Sequence, residues 1–221
     1  MRRGAVALVL VLAAASVAGC ADKQVTLRYT PPASLRPLPD ARALTVFPFD
    51  DRRGTEGDND PNRVGGVYSR TGSRTAKVMA TAPFSRTLAD ALVAGFRARG
   101  VPARPGEASA YQPGVTKVAT PFALAGEVHN FSTEARFTTS GHVSGVVRLY
   151  GSDGRLVVEK EISGRDTVGP HLLGFGSTPE KLEEGLNNAL AEFVSHVVED
   201  PAIAAALTRP GRSARPAPPG A

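Results

Sequence analysis

The sequence predicts an α+β fold, a two-layer sandwich in which a mainly antiparallel sheet of four to five strands carries two amphipathic helices on one face. Three patterns predict it. Apolar residues recur at helical spacing over 84–96 and again over 182–197, they alternate at period two through 122–162, and a glycine-bearing reversal at 151–154 divides the alternating runs. Each helix has one apolar stripe to bury, and a twisted sheet accepts both while its other face stays wet.

Residues 43–49, with Leu44, Val46 and Phe47, read as the first strand, and Pro48 marks an edge or an exit because it donates no hydrogen bond. The stretch 50–80 is polar and glycine-bearing, so it reads as a long loop, either mobile or a recognition segment; 64–68 is its one candidate for a short strand. Phe84, Leu88, Ala91, Leu92 and Phe96 then form a helical stripe, with Thr81 or Ser85 as starting cap and Gly100 as the stop. A short strand at 101–104 and an exposed connection at 105–119 follow. Leu124, Gly126 and Val128 share a face of the next strand, 122–131, which extends toward 137. Val143, Gly145, Val147 and Leu149 share a face of its neighbour, and 156–162 returns after the reversal to complete an antiparallel meander.

The second helix begins at Thr178 as cap, Pro179 in the first turn and Glu180 at the positive end of the dipole. Leu182, Leu186, Ala189, Leu190, Phe193, Val194 and Val197 form its buried stripe, whereas Glu183, Glu184, Asn187 and Glu192 occupy the wetter side. It stops near Glu199, and Asp200-Pro201 starts a short terminal helix carrying Ile203 and Leu207. One domain, 43–207, accounts for all of this. The Pro/Arg/Ala-rich tail 208–221 reads as disordered.

Ahead of the domain, Pro31, Pro32, Pro37 and Pro39 make 20–42 an extended tether. Residues 1–19 have the parts of a removable export signal: Arg2 and Arg3, an apolar run from Ala5 to Ala15, and small residues up to Gly19. That run is too short to cross a bilayer as a helix. The formal net charge of +5 is reduced once Arg2 and Arg3 leave, and the densest basic stretch, Arg209, Arg212 and Arg215, lies in the tail. No nucleic-acid partner is expected from such a distribution.

Reaction chemistry finds little support. The four histidines, His129, His142, His171 and His196, fall in different elements without ligand spacing. Asp50 and Asp51 stand beside Arg52 and Arg53, where local pairing explains them, and no phosphate loop or nucleophile-base arrangement is present. The expectation is a protein without catalytic residues, metal or cofactor. Two stretches offer contact surfaces instead: Arg52, Arg53, Arg63, Tyr68, Arg70 and Arg74 in the 50–80 segment, and His171, Leu172, Leu173 and Phe175 among glycines before the second helix, where they either form an exposed patch or close the core.

Val17-Ala18-Gly19-Cys20 resembles the lipobox of bacterial lipoproteins. The resemblance implies lipidation of the Cys20 sulfur, cleavage before Cys20 and acylation of the freed amino group. Lipobox, Tyr29-Thr30-Pro31-Pro32, Val46-Phe47-Pro48-Phe49-Asp50-Asp51-Arg52, Arg99-Gly100, the meander and Glu199-Asp200 together resemble the YajG family of small lipoproteins over about 20–202, with a weaker likeness to auxiliary lipoproteins of envelope transport systems. The resemblance implies a non-enzymatic, periplasm-facing domain held to the membrane through acyl chains on Cys20; the lack of a reaction centre leaves binding or support of an envelope protein as the expected role, with an auxiliary part in envelope lipid or solute transport as the alternative. Ala21 after the cysteine favours the outer membrane, and Asp22 leaves the inner membrane open. Cys20→Ala is expected to move the protein out of the membrane fraction; intact mass of the wild type showing an unmodified Cys20 would contradict the lipobox reading.

Overall fold

The computed structural model describes residues 22–54, 60–69, 72–107, 109, 111–135, 138–169 and 178–208. In chain order the strands are β1 (Lys23–Val25), β2 (Leu44–Val46), β3 (Asp50–Asp51), β4 (Arg63–Tyr68), β5 (Arg74–Ala80), β6 (Ala103–Pro105), β7 (Phe122–Ala135), β8 (Thr139–Gly151) and β9 (Leu156–Val168). The helices are α1 (Phe84–Ala98), α2 (Pro179–Glu199) and α3 (Pro201–Thr208).

β7 is the spine. Phe122, Leu124 and Val128 bury toward the helices, and an extra residue at the register shift between Val128 and Asn130 returns Phe131 to that same face. One edge of β7 pairs antiparallel with β8, and β8 pairs antiparallel with β9. Against its other edge β2, β3 and β4 lie end to end, all parallel, with Leu44 opposite Phe122, Asp50 opposite Glu127 and Gly65 opposite Thr133. β2, β3 and β4 thus act as one interrupted strand. β6 flanks β2 in parallel, β5 flanks β4 antiparallel, and β1 adds to β5 in parallel.

The expected layering holds, but the sheet is mixed and nine-stranded among the described residues, and three helices accompany it. Of the strands not expected, β1 and β3 are three and two residues long, too short to show a period, and β5 lies in the stretch read as loop. The 50–80 stretch is not a plain loop either. Its second half is the β4–β5 hairpin, in which Val64, Val67, Ala76 and Val78 are buried. Gly65 is required there: its φ is 150°, and a Cβ would lie 2.2 Å from the Thr133 carbonyl oxygen across the strand pair.

α1 takes neither expected cap. Pro83 holds the N-cap position, Thr87 Oγ1 donates to its carbonyl at 3.2 Å, and Gly100, at φ 82°, terminates the helix as anticipated. Pro179 sits in the first turn of α2, while the Thr178 hydroxyl turns to Glu180 instead of the free amides. Asp200 caps α3 through Oδ1, which accepts from Ala202 N at 2.8 Å and Ile203 N at 3.0 Å.

α2 lies unusually near the sheet. A Cβ on Gly141 would stand 2.1 Å from the Gly185 carbonyl oxygen, and one on Gly164 would stand 2.3 Å from that of Ala189. This approach lets α2 cover the outer edge of β9, where Glu192 Oε2 accepts from Arg165 N at 2.6 Å and His196 Nδ1 donates to Ser163 O at 2.8 Å. His196 is therefore an edge cap.

The segment expected to be a free tether is docked over 22–42. Val25 is fully buried, Thr26 N donates to Glu183 Oε1 at 2.7 Å, and Arg28 N donates to Asn187 Oδ1 at 2.9 Å. Farther on, Leu38 N donates to Arg99 O at 2.7 Å; the buried Arg99 side chain donates through Nε to Arg36 O at 2.7 Å and through Nη1 to Val198 O. Tyr29 packs beside Gly95, and burial together with the Glu199 charge pushes its phenol up to about 12. Glu183 and Asn187, on the side of α2 that periodicity marks as wet, hold this crossing.

Gly164→Ala is expected to destabilise the domain by about 2 kcal/mol through overpacking against α2. Calorimetry should show a midpoint lowered by roughly 5 °C. Gly54→Ala, where a Cβ meets nothing within 4 Å, should leave it unchanged.

Candidate contact surface

The sheet face away from the helices carries polar side chains from β7, β8 and β9. At its middle, Arg148 donates through Nη1 to Glu127 Oε1 at 2.7 Å and through Nε to Glu159 Oε2 at 2.5 Å, tying the three strands together. His129 Nε2 stands 3.3 Å from Glu127 Oε2. The hydrogen bonds from Arg148 and His129 hold Glu127 below its ordinary value of 4.5, and those to Glu159 and Glu127 raise the Arg148 guanidinium. These groups are partly open to water, so the triad is worth little as stability. It splits the face into two ends.

At the end where β7 turns into β8, two polar hollows adjoin. The first, about 320 Å³, lies between β4 and β7 and is lined by Arg63, Tyr68, His129 and Ser132 among others. The second, also about 320 Å³, crosses β7 to β9 over Ser140, His142, Arg165 and Thr167. Asn130, Ser132 and Glu134 line both, so the two make one groove. Burial, and then the Arg165 charge, push His142 below its ordinary value, leaving it a neutral hydrogen-bonding ring at pH 7. Hydroxyls, an amide, two imidazoles, guanidinium groups and the Glu134 carboxylate suit a polar segment or a polyol. The groove escapes sequence reasoning, although its signal is there: Ser132 and Glu134, then Ser140, His142 and Ser144, alternate on the wet side of their strands.

The other end of the face is apolar. Tyr111 packs on Phe47 at 5.1 Å between ring centroids and on Tyr150 at 4.9 Å, so part of the expected exposed connection 105–119 folds back over the sheet. A hollow of about 380 Å³ lies beside it, lined by Phe47, Pro105, Lys117 and Val118. Below it Arg104 Nε donates to Thr45 Oγ1 at 3.2 Å, Thr45 donates to Thr120 Oγ1 at 2.7 Å, and Thr120 donates to Phe122 O at 2.7 Å. This chain of donors fixes the rim.

The basic residues expected to form a contact surface separate into different roles. Arg53 is a strut: its side chain is only 6 % exposed, it clasps Asp51 at 2.8 and 2.6 Å, and it donates to the carbonyls of Arg63 at 2.9 Å and Pro61 at 3.0 Å. Its guanidinium also lies 5.6 Å from the Phe84 ring, which stacks on Phe131 at 3.6 Å. Burial pushes the Asp51 carboxyl up, but the hydrogen bonds and charge of Arg53 outweigh it, so Asp51 sits below its ordinary value. A buried guanidinium with its donors engaged has little left for a partner. Arg52 is exposed and pairs with Asp50 at 2.8 Å; Arg74 is exposed; Arg63 and Tyr68 line the groove. Cys20, Arg70, His171, Leu172, Leu173 and Phe175 lie outside the described residues. Among the described residues, no three of His, Cys, Asp and Glu gather as metal ligands would, and no helix is long and apolar enough to cross a membrane.

Fold and face define a layered α+β domain with helices on one side and a polar, grooved sheet on the other. Protein XCC0632 from Xanthomonas campestris, a DUF330 protein, is similar in fold: TM-score 0.58 at 13 % identity, covering 83 % of this chain and 96 % of that one. Fainter likenesses are the PelC dodecamer from Paraburkholderia phytofirmans (TM-score 0.40, 15 % identity, 75 % of this chain and 91 % of that one) and lipoprotein GNA1162 from Neisseria meningitidis (0.37, 14 %, 60 % and 88 %). None of these singles out the YajG family. No family model and no curated protein matches the chain in sequence.

The Glu127 carboxylate, depressed in the folded state, stabilises the domain above its ordinary value of 4.5, and that contribution fades as pH falls through its lowered pKa. Arg148→Gln should therefore cost under about 1 kcal/mol at pH 7. It should also flatten the acid limb of a urea-unfolding series taken from pH 6 down to pH 2. An unchanged acid limb would show that the triad contributes nothing.

Proposed function

We propose that the protein is a non-enzymatic lipoprotein domain, anchored in the outer membrane by acyl chains on Cys20 and facing the periplasm, that binds or supports another envelope component. The carrying observation is the groove over Asn130, Ser132, His142 and Arg165, a concave polar surface left open while the apolar stripes of both long helices are covered. Its side chains offer hydroxyls, an amide, imidazoles, the guanidinium groups of Arg63 and Arg165 and the Glu134 carboxylate, a set of hydrogen-bonding and charged groups that suits recognition. Kinship with YajG-like lipoproteins belongs to the same reading and rests on the lipobox, tether and strand-exit residues.

The groove role is tested by changing its outer strand. Arg165 and Thr167 are exposed on β9, so the double variant Arg165→Glu, Thr167→Arg should keep the fold, verified by its thermal midpoint. Photocrosslinking of the natively anchored wild type should give a reproducible envelope protein adduct that the variant loses. Equal yields from both would remove the groove from the function. Phospholipid co-purifying with the wild type, in place of a protein adduct, would favour the transport-auxiliary reading.

A further inference from the structure

We infer that the domain stands end-on at the bilayer, with the β4–β5 and β7–β8 turns toward the lipid headgroups and the β8–β9 turn pointing away. This rests on lipid attachment at Cys20, proposed above, and adds an orientation that follows from β1. Lys23 pairs with Val78 and Val25 with Ala80, in parallel, so each residue before Lys23 steps toward the start of β5 and the turn that precedes it. Asp22 keeps that course, its Oδ1 accepting from Lys77 N at 3.2 Å. Three peptide links join Cys20 to Lys23, and by any path they span at most about 11 Å. The acyl chains therefore enter the bilayer beside this end of the sheet.

Register identifies what else lies there. Lys77 is opposite Gly66, and Gly66 is opposite Glu134, one residue from the end of β7. Ala135 pairs with Thr139 and Thr139 with Val168, so the β7–β8 turn and the end of β9 share this level. The leash has no slack to borrow from the protein. Freeing the next residues exposes Val25 and strips the Thr26 and Arg28 amides of their acceptors on α2, which opposes any loosening. β8 is 13 residues long, so the β8–β9 turn at Ser152 stands roughly 40 Å farther from the headgroups.

The chain contains no tryptophan, which permits single reporters. Ser73→Trp and Thr138→Trp mark the near end and Ser152→Trp the far end, all at exposed positions. Each lipidated full-length variant is reconstituted into phosphatidylcholine–phosphatidylglycerol vesicles containing a headgroup nitroxide lipid, with flotation reporting attachment. Strong quenching at 73 and 138, with none at 152, is the expected result. A flexible Gly/Ser spacer of about twenty residues inserted between Ala21 and Asp22 should abolish that difference while flotation persists. Flotation with equal quenching at both ends, in the absence of the spacer, would overturn the orientation and leave anchoring intact. Failure to float, with an unmodified Cys20 by intact mass, would overturn both.

Discussion

The arrangement on the helix side of the sheet depends on how closely α2 lies against β8 and β9. Gly141 and Gly164 remove the side chains that would hold the helix away, and its backbone settles almost onto theirs. At that distance short side chains suffice to satisfy the outer edge of β9, which Glu192 and His196 do. An unpaired strand edge is an invitation to add another strand, and here it is filled from within. The same placement sets the opposite flank of α2, with Glu183 and Asn187, where the amino-terminal segment crosses.

That crossing converts residues 22–42 from a spacer into part of the fold. Its amides near the start are held by α2, and its carbonyl at Arg36 is held by the Arg99 guanidinium, which also reaches the end of α2 at Val198. A charge taken out of water requires hydrogen-bond partners of this kind, because an unsatisfied guanidinium would cost more than its packing returns. Arg99 thus joins α1, α2 and the crossing segment at one end, while β1 joins the segment to the sheet at the other. Force applied at Cys20 would reach the sheet directly through β1.

How much of this is legible in the sequence depends on element length. α1, α2 and the strands of the meander run 13 to 21 residues, enough for a period to declare itself, and their positions are read nearly correctly except that β9 runs on to Val168, six residues past its expected end. β2, β3 and β4 borrow their register from β7, a partner more than sixty positions away in the chain, and no local pattern encodes that pairing. Hydrophobic spacing likewise identifies the buried stripe of α2 but is silent about a polar face that meets another backbone, so Glu183 and Asn187 read as solvated. Arg53 misleads for a related reason. Within a polar run it looks available, yet the Asp51 carboxylate and two carbonyls consume its donors.

Edge protection bears directly on how the protein can meet a partner. β9 is capped by α2, β6 ends in Pro105, and β1 offers three residues, so strand addition has little to build on. Contact by a helix in an apolar groove fares no better on the helix side, where the stripes of α1 and α2 are already spent on the core. Among the described residues, what is left is the open sheet face, and the Arg148 triad divides it into a polar groove and an apolar end around Phe47 and Tyr111. The pairing of Arg148 with Glu127 and Glu159 lowers the net field at the middle of the face, so recognition of the kind proposed would rest there on hydrogen bonds and shape more than on long-range attraction. Such contacts are short-ranged, and the proposed tethering at Cys20 would offset that weakness by raising the effective concentration of a partner confined to the same surface.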